Sequence, residues 1–174
     1  PDPATQDARG PVDWQAAADL AQRLREQGKV VRCGLEHGHT FLRLCALRGY
    51  ENLLYDMADE EPRLWTLLEM LEHFNAGIVE RSLALQPDEM RYPEDLGMQA
   101  GPMLSPEMFR EYIRPSYERL MAPAREAGVI VHMHSDGDIR DLVEDLIGGG
   151  VDVVNLQDLV NGIEWIKEHL TGRV

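Results

Sequence analysis

The chain has 174 residues, 44% of them hydrophobic, which suits one soluble domain with a sizeable core. Its 31 Asp and Glu against 17 Lys and Arg give a formal net charge of −14, which repels phosphate backbones and anionic lipid, so no nucleic acid and no membrane is expected as a partner. No apolar run approaches the roughly 20 residues that cross a bilayer, and the opening Pro1-Asp2-Pro3-Ala4-Thr5-Gln6-Asp7 lacks the basic and apolar segments of a secretion signal, so the expected compartment is cytoplasmic.

Residues 1–12 read as a loose lead-in. Val12 to Gln27 then carries a helical pattern closed by Gly28, and Val30 to Leu35 reads as a short buried strand. Gly38 to Arg48 is a short helical stretch. From Pro62, a residue suited to a first helical turn, Leu64, Leu67, Leu68, Leu71, Phe74, Ile78 and Leu85 recur at helical spacing for about six turns. Cys33 and Cys45 form no CxxC pair and fall in a strand-like and a helical run, so reduced thiols filling core space are expected.

A strand around Met90 to Glu94 leads into Asp95-Leu96-Gly97-Met98-Gln99. Ser105-Pro106-Glu107 then opens a helix, with a serine cap, a first-turn proline and a carboxylate near the positive end of the helix dipole. Phe109, Tyr112, Ile113, Leu120 and Met121 form its apolar stripe, and Pro115 predicts a kink within it. Strand Val129 to His134, helix Ile139 to Ile147, strand Val151 to Leu156 and helix Gly162 to Leu170 follow. The last is read with Asn161 as cap and Glu164 completing a capping box.

Strand starts near 129, 151 and 173 are spaced by one βα unit each, which predicts parallel strands joined by right-handed helical crossovers in an α/β fold. A full eight-unit barrel takes about 250 residues, so the four or five units here predict a partial (β/α)8 TIM barrel, with residues 1–174 as a single domain.

Parallel α/β folds bind ligands at the carboxyl ends of their strands. Here those ends are Glu36-His37-Gly38-His39, Glu94 to Gln99, His132 to Gly137 and Asn155-Leu156-Gln157-Asp158, each polar although its strand is apolar. One shared site is the expectation. Because side chains alternate along a strand, His132, His134 and Asp136 fall on one face, and imidazoles with a carboxylate suit zinc, iron or manganese. A neutral His beside an Asp is equally suited to general acid or base work. His134 and Asp136 are the leading candidates. For His132, nearer the strand middle, a hydrogen-bonded core role competes with metal ligation, and Asp138 is read as a helix cap. Asp95 is either a turn cap or a contact to substrate. His37 and His39, flanking a glycine in a loop, are read as solvent-facing and held in reserve.

From about Lys29 onward the chain resembles the uroporphyrinogen decarboxylase superfamily of TIM barrels, which includes corrinoid-dependent and zinc-dependent methyltransferases. The resemblance is carried by LRGYENLLYDMADEEP (Leu47 to Pro62), EDLGMQAGPMLSPEMFREYIRP (Glu94 to Pro115), HSDGDIRDLVEDLIGGGVDVVNLQ (His134 to Gln157) and GIEWIKEHLTGRV (Gly162 to Val174). It implies a central portion of the barrel. The methyltransferase branch places a His-x-Cys-Gly motif where this chain has His134-Ser135-Asp136-Gly137, so the His is kept and Asp136 stands for the Cys ligand of zinc.

Three functions stay open. The first is methyl transfer between a small donor and a corrinoid or thiol, with His134, Asp136 and Asp95 in catalysis, His134, Asp136 and His132 as ligands of zinc or another divalent metal, and Gln99, Met98, Asn155 and Gln157 lining the substrate pocket. The second is decarboxylation of uroporphyrinogen in tetrapyrrole synthesis, without cofactor. The third is a non-catalytic binding module. The partners these readings imply are a small-molecule or tetrapyrrole substrate, a corrinoid protein and a second copy of the chain in a homodimer.

Overall fold

The structure, a computed structural model, describes residues 2–7 and 10–174. Within the stretch read as a lead-in, a two-residue strand β1 (Gln6–Asp7) pairs antiparallel with β2 (Gly10–Pro11). Helix α1 (Trp14–Glu26) follows, capped by Asp13, whose carboxylate accepts the Ala16 N–H at 2.9 Å. The remaining elements are β3 (Arg32–Gly34), α2 (Phe41–Arg48), α3 (Tyr50–Ala58), α4 (Pro62–Ala84), β4 (Glu89–Asp95), α5 (Pro106–Met108), a π-helical turn (Phe109–Ile113), α6 (Arg114–Glu126), β5 (Ile130–Asp136), α7 (Val143–Gly148), β6 (Val153–Leu156), α8 (Asp158–Asn161) and α9 (Ile163–Leu170). Among the described residues, no helix is long and apolar enough to cross a membrane.

Strands β3, β4, β5 and β6 form one parallel sheet in sequence order, each joined to the next by helices, as in an arc of a (β/α)8 barrel. Its two faces differ. Met90, Tyr92, Val131 and Met133 are buried against the helical layer, while Arg91, Pro93, Asp95, His132, His134 and Asp136 alternate with them onto the other face. Cys33 lies in β3 and Cys45 in α2, both as free thiols.

The register of the sheet against α2 is set by one carboxylate. Glu94 faces the helical layer and is fully buried; its oxygens accept the N–H groups of Thr40 at 2.9 Å and Phe41 at 2.8 Å, a longer bond from Leu42 at 3.4 Å, and the Tyr117 hydroxyl at 2.9 Å. Thr40 provides no side-chain cap of its own, so Glu94 serves the first turn of α2 from the neighbouring strand. Loss of solvent pushes the Glu94 carboxyl up to about 7, against the hydrogen bonds that favour its charged form.

Several local details depart from the sequence reading. The stretch after Arg48 is a separate helix, α3, set off by Gly49 at φ +85° and buried through Leu53 and Met57. Pro115 does not bend a continuous helix. The π-helical turn precedes it, with Arg114 N–H bonded to Phe109 O, so the register shifts before the residue that lacks an N–H. Asp138 does not cap a helix starting at Ile139. It holds Arg140 through both carboxylate oxygens at 2.9 and 2.6 Å in a turn, and α7 begins only at Val143.

Nor does Asn161 cap α9, whose N-cap position is Gly162 without a side-chain bond; the expected capping box is absent, and Glu164 instead pairs with Lys167 at 2.9 Å. The buried Asn161 amide accepts the Ile139 N–H at 3.0 Å and donates to Gly137 O and Gln157 O, each at 2.8 Å. The turn after β5 leaves main-chain donors and acceptors buried together, and one amide group serves both kinds.

Gly97 and Gly137 meet backbone to backbone where β4 and β5 end. A Cβ on Gly97 would lie 2.5 Å from Asp138 N, and one on Gly137, at φ +80°, would lie 2.1 Å from the Gly97 carbonyl carbon. Gly128 also has positive φ, at +70°, but a Cβ there would meet nothing within 4 Å. Gly128→Ala is therefore expected to cost about 1–2 kcal/mol from backbone conformation alone, and Gly137→Ala at least about 3 kcal/mol, because the added clash is with backbone. Urea unfolding midpoints of the two variants check the difference.

Glu94 gives a pH signature. Its carboxyl has a folded-state pKa of about 7 against an ordinary 4.5, so its contribution to stability is fully present below pH 4.5 and is lost as pH rises through 7. The shift corresponds to on the order of 3 kcal/mol. Melting temperatures measured from pH 5 to 8 are expected to decline in the wild type and to lose most of that decline in Glu94→Gln.

Candidate functional site

Three strand ends bring the site together. The loop after β3 turns back at Gly38, φ +73°, whose N–H bonds Pro93 O at 2.9 Å, and this hangs His37 over the end of β4. Asp95 is the last residue of β4 and sits opposite Asp136 in the parallel register, as Pro93 sits opposite His134 and His134 opposite Asn155. The strand β5 runs through Asp136, so His132, His134 and Asp136 do share its open face.

Asp95 is the hub. Its Oδ1 lies 3.1 Å from His37 Nε2 and 4.0 Å from His134 Nε2, and it accepts the Asp136 N–H at 3.0 Å. One ligand-type atom from each of His37, Asp95 and His134 falls within 4.8 Å of the others. On its other nitrogen, His134 Nδ1 contacts Asn155 Oδ1 at 2.7 Å. An amide oxygen can only accept, so Nδ1 donates to it, and Nε2 faces the two aspartates. Asp136 Oδ1 stands 3.8 Å from that Nε2, its side chain 58% exposed. Two imidazoles and an oriented carboxylate, with a second carboxylate alongside, form a donor set that fits a divalent metal with an open position.

The other candidates lie elsewhere. His132 is one layer deeper, its Nδ1 on Glu89 Oε1 at 2.9 Å and its Nε2 buried with no partner among the described residues. Gln157 Oε1 accepts the Gly137 N–H at 3.1 Å and so steadies the turn. Met98 and Gln99 are exposed on a tight turn closed by Met98 N–H to Gly101 O at 2.8 Å, which a bridge to Asp138 holds against the end of β5. The two loop histidines separate: His37 is half-exposed and joins the cluster, whereas His39 is buried beside the Tyr92 and Tyr117 rings. Burial holds the His39 imidazole down to about 3, so it stays neutral. The expectation that both face solvent holds for His37 and fails for His39, and the glycine between them was the available signal, since it lets the flanking side chains take opposite sides of the chain.

His134 and Asn155 also line an open cleft of about 690 Å³ on the same face of the sheet.

The family model of uroporphyrinogen decarboxylase matches residues 12–174. No match is found among curated proteins. Among solved structures, a methyltransferase from Methanosarcina mazei superimposes with a TM-score of 0.70 at 14% sequence identity, over 92% of this chain and 46% of that one. The chain thus spans about half the length of that neighbour, and the likeness places its fold as part of a TIM barrel. With nearly the whole chain covered by the family model, the chain belongs to the uroporphyrinogen decarboxylase family.

Proposed function

We propose that the protein is a methyl-transferring enzyme of this family, moving a methyl group between a small donor and a corrinoid or thiol, with a divalent metal held by His37, Asp95 and His134. The observation that carries this reading is the convergence of three ligand-type atoms within 4.8 Å at the carboxyl ends of three successive strands. A bound divalent ion would supply Lewis-acid activation of the methyl acceptor.

The chain's own residues do the preparatory work. Asn155 holds the His134 ring through Nδ1 and so aims Nε2. The Asp136 N–H keeps the Asp95 carboxylate turned toward both imidazoles. Asp136 stands where the methyltransferase branch has a cysteine, close enough to His134 to add an oxygen ligand. The exposed turn bearing Met98 and Gln99, bridged to Asp138 just past the end of β5, would meet a corrinoid carried by a partner protein.

Elemental analysis of the full-length protein, prepared without chelator, is expected to find about one divalent metal per chain in the wild type and in His132→Ala, and none in His134→Ala. Asn155→Leu is expected to weaken zinc binding about 10–100-fold, and Asp136→Cys to tighten it, because thiolate is the stronger ligand. Methyl transfer is read from the spectrum of methylcobalamin incubated with a thiol. Metal-free wild-type protein that releases carbon dioxide from uroporphyrinogen would replace this reading with decarboxylation.

A further inference from the structure

The turn that follows β5 is gripped by the segment that follows β6. Gly137 is buried, and both of its main-chain polar groups are taken by side chains from that segment: Gln157 Oε1 accepts the Gly137 N–H at 3.1 Å, and Asn161 Nδ2 donates to Gly137 O at 2.8 Å. The same Asn161 amide accepts the Ile139 N–H at 3.0 Å and donates to Gln157 O at 2.8 Å. Helix α8 is a single turn, and its closing bond, Asn161 N–H to Gln157 O at 3.1 Å, is what brings the two amide residues together.

The end of β4 holds the same turn through main chain alone, with Gly97 N–H donating to Asp136 O at 3.2 Å and Asp138 N–H to Met98 O at 2.7 Å. The group at the start of the turn, the Asp136 N–H, is the one that reaches the cluster. It donates at 3.0 Å to Asp95 Oδ1, the oxygen that also lies 3.1 Å from His37 Nε2 and 4.0 Å from His134 Nε2.

We propose that Gln157 and Asn161 are positioning residues for that oxygen: they fix the turn at Gly137, the turn fixes the Asp136 N–H, and this N–H sets the Asp95 carboxylate between the two imidazoles. Each link is a bond formed within this chain. Both residues are neutral amides, as is Asn155, which holds His134 Nδ1. An amide offers donor and acceptor together without adding charge beside Asp95 and Asp136. A carboxylate at position 161 would instead face two carbonyl oxygens, Gly137 O and Gln157 O, at hydrogen-bond distance. The consequence for metal affinity rests on the reading of the cluster proposed above, since loosening a ligand carboxylate by removing the groups behind it costs about 10–100-fold. The placement of the carboxylate itself does not rest on that reading.

The test is amide hydrogen exchange, resolved to single residues, on the metal-free full-length protein, followed by titration with cobalt(II). Exchange reads the Asp136 N–H bond with no metal present. Protection of that amide is expected to fall about tenfold in Gln157→Leu, which leaves the Gly137 N–H without its acceptor, and to be kept in Gln157→Glu, which supplies an oxygen in the same place. The Val131 and Met133 amides, in the interior of β5, are expected to match the wild type in both variants. Asn161→Asp is expected to lose Asp136 protection although it retains an acceptor for the Ile139 N–H. Gln157→Leu is also expected to weaken cobalt(II) binding about tenfold and to shift its visible absorption bands, whereas Gln157→Glu keeps both; a side chain that merely filled space would tolerate leucine. Equal Asp136 protection in Gln157→Leu and the wild type overturns the proposal, as does a loss spread evenly along β5. Selective loss with cobalt(II) affinity and spectrum unchanged also overturns it. A wild type that takes up no cobalt(II), with Asp136 responding as described, removes the metal reading and leaves the positioning of Asp95 standing.

Discussion

A single buried carboxylate fixes the geometry on which the site depends. Glu94 is drawn from water by its place on the helix-facing side of β4, and it is tolerated there because the first turn of α2 offers unpaired N–H groups and Tyr117 offers a hydroxyl. The same bonds fasten the loop from Leu35 to Thr40. Since Asp95 follows Glu94 directly on the opposite face, one strand residue anchors the loop that carries His37 while its neighbour meets His37 from the other side. The local hydrogen bonding between carboxyl group and helix end thus becomes a constraint on where two imidazoles and a carboxylate converge.

The parity of β4 and β5 divides labour in a way elementary strand geometry requires. Met90, Tyr92, Val131 and Met133 supply the packing that holds the helices, which leaves every second position free for chemistry. Along that free face the character changes with height, from the Glu89 ion network through His132 to the carboxylates at the carboxyl ends. A face so polar would be costly if closed dry, so its charges are held in contact with one another or left facing the cleft.

Much of this was legible in the sequence because periodicity reports on it directly. The alternating His132-x-His134-x-Asp136 pattern, the long stripe from Leu64 to Ile78 and the Ser105-Pro106 helix start all depend on spacing along the chain, and each has its counterpart in β5, α4 and α5. What escaped was set by contacts distant in sequence. Asn161 has the composition of a helix cap, but the turn at Gly137 to Ile139 offered its amide better-matched partners. His37 and His39 look alike in a loop, and only the position of β4 decides which of them meets Asp95 and which is buried. Glu89 and Arg91 give no spacing signal of their own, and only the pairing of β3 and β5 with β4 brings Arg32 and His132 around Glu89.

The contact between Gly97 and Gly137 carries one more consequence. With no side chain between them to absorb displacement, the two backbones behave as a mechanical joint, and the bridge from Met98 to Asp138 pins it on the far side. The segment bearing Gln99 and the segment bearing Asp136 are consequently in direct main-chain contact. A displacement of the outer turn would therefore bear directly on the backbone that carries Asp136.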